Sequence, residues 1–467
     1  MKVSIKMQNK KSTVMFFLNP IMKSKKFLLG MVLGQALGLS AVAGDWPQWL
    51  GAKRDGVWRE SGILKKFPEG GPKVNWRVPI GGGYAGPAVA DGRVFIMDRQ
   101  LAKGTANPDN QFDRGMIPGS ERVICLDEKT GRELWVHEYD CGYTVSYPAG
   151  PRATATVDGD RVYTLGAEGN LLCLNAESGK VLWQKDFKKE YGVKSPVWGF
   201  TGHPLVRGGH LICLARGKGS TAVCFDKLTG KEVWRSLTAR EPGYCPPTLI
   251  QAGGVEQLII WHPESINSLN PDTGEVYWTQ PFRLRFGLSV PTPRQVGNQL
   301  FVTAFYNGPM MMKLAKDKPT ATLAWKGNRN SEKNTDKLHS IMPTPFIEKG
   351  HIYGVCSYGQ LRCLRVDTGE RVWEDLTATR GGEETRWGNA FLVKHAPSDR
   401  FFLFNELGDL IIAKLSPEGY EPIDKAHLIE PTGKAMNRKV VWSHPAFANR
   451  NVLVRNDKEI VSFSLAE

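Results

Sequence analysis

No apolar run in this 467-residue chain reaches the ~20 residues of a membrane-spanning helix, and no long helical periodicity appears after residue 45. The chain therefore does not read as a multi-span membrane protein or a helical bundle. None of the eight cysteines is adjacent to another, and no HExxH, GxSxG or phosphate-loop pattern occurs. Those absences set aside the zinc-helix proteases, the nucleophile-elbow hydrolases and the P-loop nucleotidases. Clustered positive charge is also missing. The formal net charge of +14 falls to +7 when the seven lysines of residues 1–43 are set aside, and no basic-aromatic stripe remains, so no nucleic acid partner is expected.

Turn formers and large rings are plentiful instead: 50 Gly, 29 Pro and 14 Trp, with 41% hydrophobic and 23% charged residues. Gly and Pro terminate elements and Trp packs well on pleated surfaces, so this balance suits many short strands. Residues 1–43 read as an export segment. Lys23, Lys25 and Lys26 precede the apolar run Phe27–Leu39, and Ala41-Val42-Ala43 supplies the small-x-small site, with cleavage expected after Ala43. Met22 is an alternative start, and an uncleaved anchor is the alternative reading of the run. A periplasmic or extracellular location follows. No Cys follows the segment, so no lipid anchor is expected.

The dominant signal is internal repetition. CLDEKTGRELW (125–135), CLNAESGKVLW (173–183), CFDKLTGKEVW (224–234), SLNPDTGEVYW (268–278) and CLRVDTGERVW (363–373) each place a small residue ten positions before a Trp. With Trp325 closing a degenerate copy, successive Trp residues are 48, 51, 44, 47 and 48 apart, a period that marks stacked repeats. The Gly of each T/S-G element supplies the positive φ of a tight hairpin, with alternating strands on either side. Upstream lies a second strand pair, as in PLVRGGHLICLA (204–215). Four strands per unit make a propeller blade. The small position is filled by Cys125, Cys173, Cys224, Ser268, Met312, Cys363, Ala413 and Ser462, which gives eight blades. In the seventh, His427 is expected in place of Trp.

The expected fold is therefore all-β: an eight-bladed propeller over 73–467 with an extension, 44–72, packed on it. Trp76 in KVNWRVP marks an orphan outer strand, expected to close the ring beside residues 459–465 and so remove a free edge. Trp76, Trp135, Trp183, Trp234, Trp278, Trp325 and Trp373 are expected to pack between blades. The cysteines at the repeated position read as small buried thiols. Cross-strand disulfides from Cys213 to Cys224 or from Cys356 to Cys363 are conceivable but geometrically demanding.

These units resemble the tryptophan-docking motif, A-x-D-x-x-T-G-x-x-x-W, of the pyrroloquinoline-quinone-type (quinoprotein alcohol dehydrogenase-like) β-propellers, with Cys or Ser in place of Ala. DWPQWLGAKRDGVW (45–58) is similar to the leader that opens exported bacterial propellers of this type. The resemblance implies one of two activities. Quinone-dependent dehydrogenases of the family would add pyrroloquinoline quinone, calcium, a catalytic Asp and adjacent cysteines, and this chain has no adjacent cysteines. The barrel-assembly scaffold of the outer membrane is nearer in length.

The loops that lead into each innermost strand gather around a propeller's channel. Here they carry Tyr84, Arg152, Trp198, His203, Tyr244, His339, Arg386, Trp387 and His444, the candidate ligand-binding residues; no catalytic residue is singled out. His203 and His444 occupy equivalent places before a Pro. Hydrogen-bonded lining is their commoner role; metal ligation is the sharper alternative, and no metal is expected. Arg152 and Arg386 would clamp carboxylates of a quinone or acidic sugar, with Trp387 stacked beneath a ring. Residues 99–120 lengthen the first blade into either a solvated loop or a lid offering Asp109, Asn110 and Asp113 to calcium. GGGYAG (81–86) satisfies the dinucleotide fingerprint, but a strand and not a helix follows it.

The preferred reading is a binding or scaffold propeller that takes a small molecule, glycan or protein at the channel face. The alternative is a quinone-dependent oxidoreductase of alcohols or sugars, and a hydrolase or lyase on the same face is a third.

Overall fold

The computed structural model describes residues 44–467. The expected export segment, residues 1–43, and its cleavage point lie outside the described residues. Eight four-stranded antiparallel sheets follow one another along the chain, each a meander from the inside of the ring outward. Blade 1 comprises Ala88–Ala90, Arg93–Leu101, Gly119–Asp127 and Glu133–Asp140; blade 2 begins at Thr156, blade 3 at Leu205 and blade 4 at Thr248. Blades 5, 6 and 7 begin at Arg294, Phe346 and Ala390. Blade 8 takes Ala446–Ala448, Asn451–Arg455 and Glu459–Ser464 from the C-terminus and Val74–Pro79 from the N-terminal side. That last strand pairs antiparallel, Trp76 opposite Ser462, as the orphan strand required.

The repeat motif explains the seams. In the turns, Asp127 Oδ1 accepts from the Thr130 amide and hydroxyl, and Asp226 does the same with Thr229. This closes a turn whose Gly adopts positive φ. The Trp of the preceding blade lies on that Gly. A Cβ at Gly230, whose φ is +70°, would stand 2.7 Å from the Trp183 ring. The indole N–H then reaches the same turn: Trp76, Trp135, Trp183, Trp234, Trp325 and Trp373 donate to carbonyls of Glu128, Ala176, Lys227, Pro271, Val366 and Ser416 at 2.8–3.2 Å. Each of these six outer strands is thereby fixed to its neighbour by packing and by one hydrogen bond.

Trp278 departs from the pattern. Its Nε1 donates within its own blade to Gln257 at 2.9 Å, because the following turn, residues 315–320, has no glycine to receive a ring. Two expected register positions also move. Trp325 faces Met311, while Met312 faces Leu323, across a bulge. In blade 7 Ala413 faces Pro422, and His427 lies at the strand end beside Asp409 rather than in a Trp position.

The apolar core is divided among the seams. One cluster joins Ile212 and Cys224 of blade 3 to Leu258 and Ile260 of blade 4, and another joins Tyr353 and Cys363 of blade 6 to Leu403 and Ile411 of blade 7. All eight cysteines are buried free thiols. The conceivable Cys213–Cys224 bridge is excluded by register: Cys213 pairs with Val223 and Cys224 with Ile212, so the two sulfurs belong to opposite sheet faces. Cys363 faces Tyr353 rather than Cys356. Burial pushes the Cys125 and Cys224 thiols up to about 12 and those of Cys173 and Cys363 to about 11, leaving them unreactive. Among the described residues, no helix is long and apolar enough to cross a membrane.

Candidate functional site

The central channel is crossed by the N-terminal extension. Trp46 bridges to Val89 on the innermost strand of blade 1, and Val57–Trp58 adds in parallel to the innermost strand of blade 7 at Lys394 and His395. Between them the strap is held from other blades. Arg54 donates to the carbonyls of Pro204 and His203 at 3.1 and 3.4 Å, and Arg294 donates to the Asp55 carbonyl at 2.6 Å. Gly51 makes the turn possible: its φ is +82°, and a Cβ there would meet the Trp46 ring at 2.9 Å. Burial lowers the Arg54 guanidinium to about 10, so it stays charged at neutral pH.

The strap gives the channel a floor. Trp49 stacks on His203 at 4.1 Å between ring centroids, meets His444 edge-on at 4.9 Å, and donates from Nε1 to Thr292 at 3.0 Å. Above it lies a cavity of about 200 Å³ to which the loops before all eight blades contribute. Its walls are Tyr84, Tyr147, Arg152, Trp198, Thr201, Tyr244, Pro246, Leu288, Val290, Ile341, Met342, Trp387, Phe391 and Trp442. One wall is a cluster of Tyr147, Trp387 and Trp442, with ring centroids 5.9–6.1 Å apart. Trp198 and Tyr244 form an edge-to-face pair elsewhere on the rim at 5.6 Å.

Seven of the nine candidate residues border this cavity: Tyr84, Arg152, Trp198, His203, Tyr244, Trp387 and His444. Two do not. His339 is fully buried beneath Gly308, its Nδ1 on the Phe305 carbonyl at 3.2 Å and its Nε2 on Asp336 at 3.4 Å. Arg386 pairs with Glu332 at 2.6 Å and stacks over the Trp387 ring at 4.8 Å, so it supports the wall instead of lining it. Tyr147 and Trp442 belong to the same loops as Arg152 and His444. Trp49 was visible only as part of the leader, since nothing local in DWPQWL says that it enters a channel.

Burial sets the floor's chemistry. The Thr154 amide donates to His203 Nδ1 at 2.8 Å, leaving the proton of the neutral ring on Nε2. His444 donates from Nδ1 to the Pro445 carbonyl at 2.6 Å, leaving Nε2 as an acceptor. Desolvation, reinforced by Arg54 and by His444, holds His203 well below the usual histidine range. Desolvation alone pushes His444 down to about 4. Both rings are neutral at physiological pH. Behind the wall, the fully buried Glu406 accepts from Arg380, Arg438 and Trp442 Nε1 at 3.0–3.2 Å, which fixes Trp442 from its polar edge.

The blade 1 insertion reaches the same rim. Phe112 packs edge-on against Tyr147 at 5.2 Å and lies 6.0 Å from Trp387, and the Gln111 carbonyl accepts from the Tyr147 amide at 2.6 Å. Its acidic groups are not gathered as calcium ligands. Asn110 donates to Asp113 at 2.7 Å, whereas Asp109 faces Lys434 at 3.4 Å. Lys434 belongs to a small hairpin, Gly433–Ala435 with Arg438–Val440, that precedes blade 8. Among the described residues, no three His, Cys, Asp or Glu side chains cluster in a way that would hold a metal ion.

The sequence model of the family described as "Outer membrane protein assembly factor BamB" matches residues 119–375, more than half of the chain. The chain belongs to this PQQ_2 family. No curated protein matches it. Among solved structures, the quinohemoprotein alcohol dehydrogenase from Comamonas testosteroni is similar at a TM-score of 0.58 and 13% identity, covering 91% of this chain and 81% of that one. The computationally designed Ika8 protein is similar at 0.50 and 10% identity, covering 84% and 100%. BamB from Moraxella catarrhalis gives 0.48 and 15% identity, covering 78% and 97%. At these identities the likenesses at TM-scores of 0.58 and 0.50 show the propeller fold alone, and that fold hosts more than one activity.

Proposed function

We propose that the protein is an exported binding propeller that captures a small ligand in the channel mouth without transforming it. One observation carries the reading: the cavity is a blind aromatic cup, closed below by Trp49, with no carboxylate and no side-chain amide among its lining residues. Its two imidazoles, His203 and His444, are neutral rings already tied to backbone groups. A general acid or base working near neutral pH needs a pKa near that pH, and burial has moved both imidazoles away from it. All eight thiols are buried, and none is among the lining residues of the cavity. Export is supported by the charged, apolar and small-residue segments of residues 23–43 and by the outer-membrane function in the matched family's description.

The quinone-dependent reading meets a donor set that does not fit. Calcium takes six to eight oxygen ligands from carboxylates, amides and carbonyls, whereas the side chains of the cavity wall present hydroxyls, indoles, aliphatic groups and one guanidinium. A guanidinium beside a bound calcium ion would add like-charge repulsion to that shortage of ligands.

Calorimetric titration with a neutral two-ring probe, 2-naphthylmethanol, tests the binding reading, alongside incubation with pyrroloquinoline quinone and calcium followed by gel filtration and dye-linked alcohol oxidation. Saturable heat from the probe without dye reduction is the expected result. Retention of the quinone with alcohol-dependent dye reduction would overturn the proposal.

A further inference from the structure

Resting on that binding reading, we infer that the ligand is a small flat aromatic anion, a one- or two-ring carboxylate. Size and shape come first. A dry cavity of 150 Å³ suffices for benzene in another protein, so about 200 Å³ holds one or two fused rings and excludes extended chains. The indole and phenol faces around it suit stacking and edge contacts with such rings.

Charge comes from two guanidinium groups that, among the described residues, have no carboxylate within ion-pair distance. Arg152 lines the wall and donates only to the carbonyls of Gly150, Ser146 and Tyr147, with the Tyr84 ring 5.2 Å from its Cζ. Arg54, beneath the floor, donates only to backbone carbonyls and to the Gln48 side chain. Nearby negative charge is limited. Glu121 is fully buried, hydrogen-bonded to Tyr139 and Tyr143, and raised above the usual carboxylate range by burial; Asp457 is engaged by the Gly83 amide. One cation in the cup wall and a second beneath its floor leave a positive potential that an anion would relieve.

Hydrogen-bonding groups point the same way. The His203 Nε2–H has no partner among the described residues, and His203 lines the cavity at 7% exposure. A buried donor left unpaired is destabilising. This unpaired donor beside the uncompensated Arg152 leaves the cup short of acceptors, which a carboxylate with two acceptor oxygens supplies.

The test is an isosteric series titrated by calorimetry into the purified protein: 2-naphthoate, 2-naphthylmethanol and 2-naphthylmethylammonium. The naphthoate is expected to bind at least tenfold more tightly than the alcohol, with the ammonium weakest. Arg152→Gln should bring naphthoate down to the level of the alcohol measured on the same variant, and Arg152→Lys should keep a preference for the anion. If the alcohol binds as tightly as naphthoate in the unaltered protein, this inference fails and the binding reading stands. If none of the three gives saturable heat, the binding reading fails as well.

Discussion

Lowering the pH should destabilise the fold through His444. The ring is encased by Trp49 at 4.9 Å and Phe391 at 5.0 Å, with Trp46 6.4 Å away, and its folded-state pKa is pushed down to about 4. An unfolded histidine titrates near 6.5. Between those values the unfolded chain binds the proton and the folded one does not, so stability present above 6.5 is lost as pH falls toward 4. At 1.36 kcal/mol per unit, the loss is about 2 kcal/mol by pH 5 and about 3 kcal/mol by pH 4. His203 shifts in the same direction and deepens the loss. Urea midpoints at pH 7 and pH 5, measured on the protein and on His444→Gln, isolate the effect, because every other titrating group is common to both. The unaltered protein should lose about 2 kcal/mol more than the variant over that interval. Equal losses in the two would show that the imidazole is not held neutral by the channel floor, and the geometry assigned to it would be wrong.

The seams, the strap and the buried carboxylate each make a separate prediction. Gly230→Ala forces both a positive φ and a clash with Trp183, whereas Gly208→Ala forces the φ alone into open space; thermal melts should show losses of about 2–5 and about 1–2 kcal/mol respectively. Trp49→Ala removes the floor ring and should cost up to about 3 kcal/mol, and calorimetry should show 2-naphthylmethanol binding abolished while the blades keep their far-ultraviolet signal. Glu406→Gln leaves Arg380 and Arg438 without a counter-charge and should lower stability by about 3 kcal/mol in urea.

The blade count, the closure by Val74–Pro79 and the seam tryptophans were legible in the sequence, because each depends on a local event: a Gly turn, an alternating strand pair, and a Trp ten residues after a small position. Where the local rule lapses, so did the reading. The turn at 315–320 lacks the glycine, so Trp278 turns inward, and a bulge moves Met311 into the place expected for Met312. The rim was legible at the level of which loops face the channel, since strand order fixes that, but His339 and Arg386 lie in those loops and still point elsewhere.

A closed eight-bladed ring is written in the order of the repeats, which act through neighbours about fifty residues apart and must stack in sequence. The conversion of the ring's hole into a cup is a property of the folded molecule alone. It depends on Trp49, Arg54 and Trp58 reaching blades 150 to 340 residues away, through contacts with His203, Pro204, Thr292 and His395. Such long-range contacts leave no period in the chain, and their residues become a site only when the ring brings all eight loops to one axis.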